Sequence, residues 1–471
     1  MYMVRIRLIF LLFIAYSSLY SQEYAGDSSR SAIHNLKFEG GVLISAKDKL
    51  PFWMKSNNSN RFTAESANSH YQILDYRGSY PVIEGFNLNW EFESILNIRE
   101  RVNGKFIQAN FGFETNFLRF RMGYDEEFFG LSDTTLSIGN LVYGNNARPI
   151  PKVLVSTNGW QKSPVLGKNL SFQAYLAHGW FEQNRFQSEA MLHQKYLYLR
   201  AKLFQNKLTL IGGLNHNAQW GGSNSQNEST QPTGLKNYAR IFLGSSGGSD
   251  ALSTDQRNAL GNHLGSYDLR GSFEFKSFVL TNYWQFLWED KSGLTPFNWR
   301  DGLIGASIHF KNSRLIKKVL LEVVRTNNQN AQKVADDGTT IFEPDNFFNN
   351  SVYRTGWSYH NQVIGNPIFL LLNEGSTSSS RIKNSINAVN IGISGSIRKL
   401  NYQVNYIDFQ NKGTKFEVID PSLRLRAVNV ALNYQLSSYA SFGSTLNYQE
   451  ANFGSQRNFG LRLQYTKSLT F

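Results

Sequence analysis

Leu461-Arg462-Leu463-Gln464-Tyr465-Thr466-Lys467-Ser468-Leu469-Thr470-Phe471, at the carboxyl terminus of the 471-residue chain, alternates in character residue by residue. Leu461, Leu463, Tyr465, Leu469 and Phe471 share one parity, interrupted only by Lys467, while Arg462, Gln464, Thr466, Ser468 and Thr470 share the other. Successive side chains of a strand point to opposite faces, so this segment is apolar on one side and polar on the other to its last residue. A closing strand of a transmembrane β-barrel has this pattern, with one face toward lipid and one toward a wet interior. An amphipathic edge strand of a soluble sandwich shares it, and the other end of the chain separates the two.

There, Arg5 and Arg7 precede the apolar run Leu8 to Ala15, followed by Ser17, Ser18 and Ser21 and an abrupt change to Gln22, Glu23 and Asp27. This is the layout of a secretory leader, residues 1–21, with cleavage expected after Ser21 and a single exported domain over 22–471. Its apolar run is too short to cross a bilayer as a helix. The terminal Phe471 resembles the assembly signal of bacterial outer-membrane barrels, which makes the barrel assembly machinery and outer-membrane lipid expected partners and the outer membrane the expected location.

Composition agrees. With no cysteine, disulfides, thiolate chemistry and Cys-based metal sites are excluded. The mean hydropathy is −0.37, and the longest apolar stretch after the leader, Pro367 to Leu372, is far too short for a membrane helix. Yet 41% of residues are hydrophobic and 14% aromatic. A barrel reconciles these facts, because half of each strand faces lipid, half faces a polar interior, and aromatic girdles mark both interfaces. The formal net charge of +13, or +11 without Arg5 and Arg7, is scattered, with no long Lys/Arg run. Such a surface suits anionic headgroups or an anionic polymer, and an exported location argues against nucleic acid.

Dyad segments recur along the chain. Phe86, Leu88, Trp90, Phe92, Leu96 and Ile98 oppose Asn87, Asn89, Glu91, Glu93 and Asn97, and similar alternation covers 197–203, 390–398, 402–406 and 428–435. Tight turns near 205–207, 276–277, 311–314, 399 and 437–438 alternate with long connections at about 218–263, 290–300, 327–383 and 411–422. Outer-membrane barrels have short periplasmic turns and long external loops, which sets the orientation. About 16 strands fit between Phe86 and Phe471, and Leu36 to Ile44 with one more in 46–85 raises the total to about 18 in an antiparallel up-and-down barrel. Ser253-Thr254-Asp255-Gln256 is a capping-box pattern that predicts one short helix within an external loop.

Catalytic signatures are few: no paired-His zinc motif and no P-loop occur. Gly244-Ser245-Ser246-Gly247-Gly248 formally matches a nucleophile elbow after the strand-like Tyr238 to Leu243, but the α/β sheet that would hold such a turn is missing. No enzyme activity, metal or cofactor is expected. The external loops instead carry aromatic, acidic and amide residues together: Trp288, Asp290, Trp299, Arg300 and Asp301 about one loop, and Trp357, Tyr359 and His360 in another. Sugars stack their C–H faces on aromatic rings while carboxylates, amides and Arg bind the hydroxyls, so these eight residues form a candidate polysaccharide-binding set. The competing reading for each aromatic is the interfacial girdle.

Leu50-Pro51-Phe52-Trp53 with Asn57, Asn58 and Arg61, Gly139-Asn140-Leu141, Asn146 to Pro151, Gly261 to Asp268, Glu289 to Gly293 with Asp301-Gly302-Leu303, Tyr353 to His360, and Ile364 to Pro367 follow in an order that resembles the capsule assembly Wzi family. The resemblance implies an eighteen-stranded outer-membrane barrel that acts as a lectin, holding exported capsular polysaccharide at the cell surface. It implies neither catalysis nor a cofactor. Some members carry a helical bundle near the amino terminus; residues 62–80 show little helical periodicity here. The alternative within the same fold is a porin or substrate-specific channel with an open lumen.

Overall fold

The computed structural model describes residues 32–163, 167, 169–224, 229–289, 300–329, 333–334, 337–338, 340–342, 345–371, 382–454 and 456–471. The expected leader, Asp290 and Trp299 lie outside them. Eighteen antiparallel staves form one closed sheet. In chain order they are β1 (Ile33–Ser45), β2 (Ser69–Ile83), β3 (Phe86–Ile98), β4 (Val102–Thr115), β5 (Leu118–Tyr124), β6 (Pro151–Thr157), β7 (Leu170–Trp180), β8 (Met191–Leu203) and β9 (Leu208–Trp220). They continue as β10 (Asn262–Glu274), β11 (Phe278–Glu289), β12 (Gly302–Phe310), β13 (Lys318–Arg325), β14 (Ile386–Ile397), β15 (Leu400–Gly413), β16 (Val418–Ser437), β17 (Ala440–Ala451) and β18 (Arg457–Thr470). The two-residue stretch Gln161–Lys162 prolongs β6 along β7.

Closure is made by the segment that reveals the fold. β18 pairs with β1 from Asn35 opposite Thr470 to Ser45 opposite Gly460. Phe471 finishes the seam: its N–H donates to the His34 carbonyl (3.0 Å), the His34 N–H donates to its carbonyl (2.8 Å), and the two rings stack at 5.4 Å. On the inner face Arg462 pairs with Glu39 and donates to the Tyr71 hydroxyl (2.7 Å), while Tyr465 points outward and is exposed. A polar tie inside and an apolar row outside are what the two-residue period demands.

The dyads hold around the wall. Leu197, Leu199, Leu269, Ile304, Ile391 and Ile397 are exposed on the outside, and Glu93, Tyr198, Gln285 and Glu322 are buried within. The tight turns and both ends of the sheet lie at one rim, and long connections lie at the other, as expected from turn lengths. The connection expected over 411–422 is shorter than that, because β15 and β16 extend toward each other and leave only 414–417.

The interior departs from a polar channel. Residues 125–150, between β5 and β6, cross the lumen to the opposite wall. Glu322 of β13 holds this segment with both oxygens: Oε1 accepts from Ser137 (2.6 Å) and Tyr283 (2.6 Å), and Oε2 from the Ile138 N–H (2.9 Å) and Asn390 (2.8 Å). Gln285 of β11 accepts from the Leu141 N–H (2.6 Å), and Asn390 and Asn405 both donate to the Leu136 carbonyl. Residues 345–369 pack on top, where Asn366 donates to the Gly139 carbonyl (2.6 Å) and Asn146 to the Val363 carbonyl (2.9 Å). Leu136, Ile138, Leu141, Val142, Phe347, Trp357, Ile364 and Ile368 join wall residues in one apolar core. Burying this core removes water from the lumen, and the carboxylate and amides of the wall satisfy the loop backbone that a strand partner would otherwise satisfy.

Helices are few. The predicted short helix forms at Ser253–Arg257, but with Leu252 at its N-cap and no side-chain cap; Ser253 already lies within the helix, so its hydroxyl is out of the capping position. The strand-like Tyr238 to Leu243 belongs to a helix, Leu235–Leu243. Gly244 adopts φ +62° and donates its N–H back to Arg240 and Ile241, which ends the helix and leaves the formal nucleophile-elbow match in a helix C-cap and the loop beyond it. No helical bundle appears near the amino terminus of the described residues; Phe52–Lys55 and a single 3₁₀ turn, Ala64–Ser66, lie at the long-loop rim.

Candidate functional site

The long-loop rim presents a mouth floored by the segments that fill the lumen. Ser358–Tyr359 and Gln362–Val363 form a minimal hairpin there, and its two turn residues, His360 (φ +46°) and Asn361 (φ +58°), take the left-handed conformation that a two-residue turn requires. Glu182 accepts the His360 N–H (3.1 Å), and Arg185 donates to the Ser358 and Gly356 carbonyls, so the hairpin is held from the 181–190 loop. Its tip leaves His360 exposed.

Cations converge on that tip. The protein that flanks the ring partly desolvates the His360 imidazole and lowers it from its ordinary pKa; Glu182 opposes this, and Arg148, Lys105 and Arg185 reinforce it. Arg148 lies over the Tyr124 ring at 4.9 Å and makes no ion pair among the described residues. Lys105, bonded to the Asn60 carbonyl, extends the cluster into an open groove of about 440 Å³ lined by Asn97, Arg99, Glu100, Arg101, Asn103 and Lys105 on one side and Thr63, Glu65 and Ser66 on the other. Arg61 holds the groove's neighbourhood in place by pairing with Glu93 (2.5 Å) and Glu126 (2.8 Å). A strip from Arg99 through Lys105 to Arg148, with His360 at its end, thus offers four cations against the two carboxylates Glu65 and Glu100, beside amides and hydroxyls.

The eight residues singled out from the sequence do not form one surface. His360 and Arg300 are exposed, and Asp290 and Trp299 lie outside the described residues. Trp357 is 0% exposed, its Nε1 donating to the Val142 carbonyl (2.6 Å), and Tyr359 is buried beside Phe181. Asp301 is buried and accepts the N–H groups of Asn328 (2.9 Å) and Gln329 (2.6 Å). Trp288 lies on the outer wall, stacked on His216 at 5.5 Å and crossing Gly265, where a Cβ would stand 2.3 Å from its ring. These four build the wall and the filling of the mouth, and protein covers their rings and carboxylate. Arg99, Arg101 and Lys105 went unnoticed because Glu100 and polar residues interrupt them in one hairpin, so they form no basic run, and Arg148 joins them only when the lumen segment comes to β3 and β4. Arg148 alone carried a signal, as part of Asn146 to Pro151.

An eighteen-stranded barrel with an apolar outer belt and a lumen crossed by its own chain is an outer-membrane protein. Residues 26–377 match the capsule assembly protein Wzi family, and the chain belongs to it. No curated protein matches it in sequence. Among solved structures it is similar to Wzi of Escherichia coli, described as an outer-membrane protein involved in group 1 capsule assembly and a carbohydrate-binding β-barrel, with 12% identity and a TM-score of 0.59 over 91% of this chain and 83% of that one. It is also similar to OccK2 (OpdF) of Pseudomonas aeruginosa, at 9% identity and a TM-score of 0.51 over 94% of this chain and 98% of that one. OccAB2 of Acinetobacter baumannii gives 10% identity and a TM-score of 0.50 over the same shares. At such identities these likenesses speak for the fold.

Proposed function

We propose that this barrel binds an exported, anionic capsular polysaccharide at its outer mouth and helps hold it at the cell surface, without catalysis and without a cofactor. The observation that carries this reading is the strip Arg99, Arg101, Lys105, Arg148 and His360 above a lumen packed with the protein's own side chains. Arg and Lys match sugar carboxylates, and the flanking Asn97, Asn103 and Thr63 match hydroxyls. Each contact is weak in water, but a polymer repeats its epitope, so many weak contacts on many barrels retain one chain. Membership of a capsule assembly family and the carbohydrate binding described for the E. coli barrel agree with it.

The purified barrel, immobilised and exposed to uronate-containing and neutral polysaccharides, should retain the acidic ones, with binding that weakens as salt rises. Arg99→Gln with Arg101→Gln should reduce that binding severalfold. Equal retention of neutral and acidic polymers, unaffected by salt or by the pair of substitutions, would remove the basic strip from the account.

A further inference from the structure

The helix Leu235–Leu243 lies outside the barrel. Leu197 and Leu199 of β8 face outward, so Lys195 and His193, at the same parity, do too, as do their neighbours His216 and Ala218 on β9 and His263 on β10. The helix packs on this outer patch. Tyr238 meets His178, His193 and Trp220 at ring distances of 5.5–5.7 Å, Phe242 meets His193 at 5.5 Å, and Ile241 packs with Ala218, Trp220 and Leu260. Lys195 bonds the Phe242 carbonyl and lies 3.8 Å from its ring centroid, which ties the helix C-terminus to the wall.

One face is thereby accounted for, and the opposite face is also apolar. At 100° per residue, Asn237, Ile241 and Tyr238 turn toward the wall and Phe242 stands at the edge of that contact, whereas Leu235, Ala239 and Leu243 form a contiguous stripe on the far side. Leu235 is 84% exposed and Leu243 73%. Lys236, exposed, and Arg240, which donates to Asn237 (2.7 Å) and lies 3.9 Å from Asp250, border this stripe on one flank. The height of the helix is also fixed. An outer-membrane belt about 25 Å tall, crossed by strands tilted near 40° and rising about 3.3 Å per residue, takes up about ten residues. Counted upward from Leu203 at the tight-turn rim, β8 leaves the belt at about Gln194, beside Lys195 and the helix C-terminus.

We propose that Leu235–Leu243 is an interfacial helix that seats Leu235, Leu243 and the exposed edge of Phe242 in the acyl layer of the outer leaflet, with Lys236, and Arg240 beside it, set toward anionic headgroups. Apolar stripe, basic flank and continuity with the lipid belt define this occupant together. The long 221–261 connection is in this way fastened to the membrane beside the mouth.

The chain has no cysteine, so single cysteines can carry a spin label at Leu235, Leu243, Leu199 (lipid belt) and Ser351 (exposed, long-loop rim). In phosphatidylcholine vesicles, positions 235 and 243 should favour collision with dissolved oxygen over a water-soluble nickel chelate, as position 199 does. Position 351 should show the reverse. Adding either lipid A or phosphatidylglycerol should move position 243 deeper, a shift that Lys236→Gln with Arg240→Gln abolishes; a response to one lipid alone identifies the headgroup. Accessibility at 235 and 243 like that at 351 would overturn the proposal. So would shielding from both reagents, which means that another protein surface covers the stripe.

Discussion

Trp357 and Arg101 illustrate opposite uses of residues that both suit sugar binding. Trp357 is the largest of the fully buried side chains, and its indole satisfies the Val142 carbonyl inside the lumen. Trp357→Ala should cost about 3–5 kcal/mol, because it opens a cavity and orphans that carbonyl. A lower unfolding temperature with unchanged polymer binding per folded barrel is the expected result. Arg99→Gln with Arg101→Gln should do the reverse, shifting stability by less than about 0.5 kcal/mol, as exposed substitutions do, while reducing retention. Protonation of His360 bears on the same strip. Since partial desolvation lowers its pKa, it is neutral at neutral pH and gains charge only on acidification. Affinity for an acidic polymer should therefore rise as pH falls, until the polymer's own carboxylates protonate, and His360→Gln should flatten that rise. Residue chemistry was the part least legible in the sequence: an exposed sugar-stacking Trp and a Trp filling a lumen have the same neighbours in the chain, and only the course of 125–150 across the barrel tells them apart.

At the level of elements, strands were legible because lipid and lumen impose a period of two. Phe86 to Ile98 matches β3 at both ends. The Leu235–Leu243 helix was not, since Tyr238, Ile241 and Phe242 read equally well as strand residues, and the wall that binds its inner face comes from distant segments. The motifs that mark the family have a physical meaning at this level. Asn57 donates to the Ile138 carbonyl, Asn146 to that of Val363 and Asn366 to that of Gly139, so the amides that resemble the family stitch the loops into the lumen. The fastening makes a channel prediction. The wild-type barrel should give no steady conductance in planar bilayers, whereas Glu322→Ala, which releases the Ser137 and Ile138 hydrogen bonds of the crossing segment along with two to the wall residues Tyr283 and Asn390, should produce intermittent openings. Steady wild-type conductance, unchanged by Glu322→Ala, would favour the channel reading.

For the whole molecule, orientation and retention are the properties that matter. Both termini of the sheet and the tight turns share a rim, so a cysteine at Ser438 should escape an impermeant thiol reagent on intact cells and one at Ser351 should react. Reversal would place the basic mouth in the periplasm. Strand count, closure and the sorting of short and long connections onto opposite rims were legible from turn lengths and the final strand, because they depend on local alternation summed along the chain. The mouth, assembled from contacts between residues far apart in sequence, was not. The most direct test is the ratio of cell-bound to shed capsular polysaccharide in cells carrying Arg99→Gln, Arg101→Gln and Arg148→Gln together, normalised to folded barrel in the outer membrane. Normal barrel yield and normal total polymer, with a severalfold shift toward the shed fraction, are expected if the basic mouth holds the polymer. An unchanged ratio at normal barrel yield would contradict it.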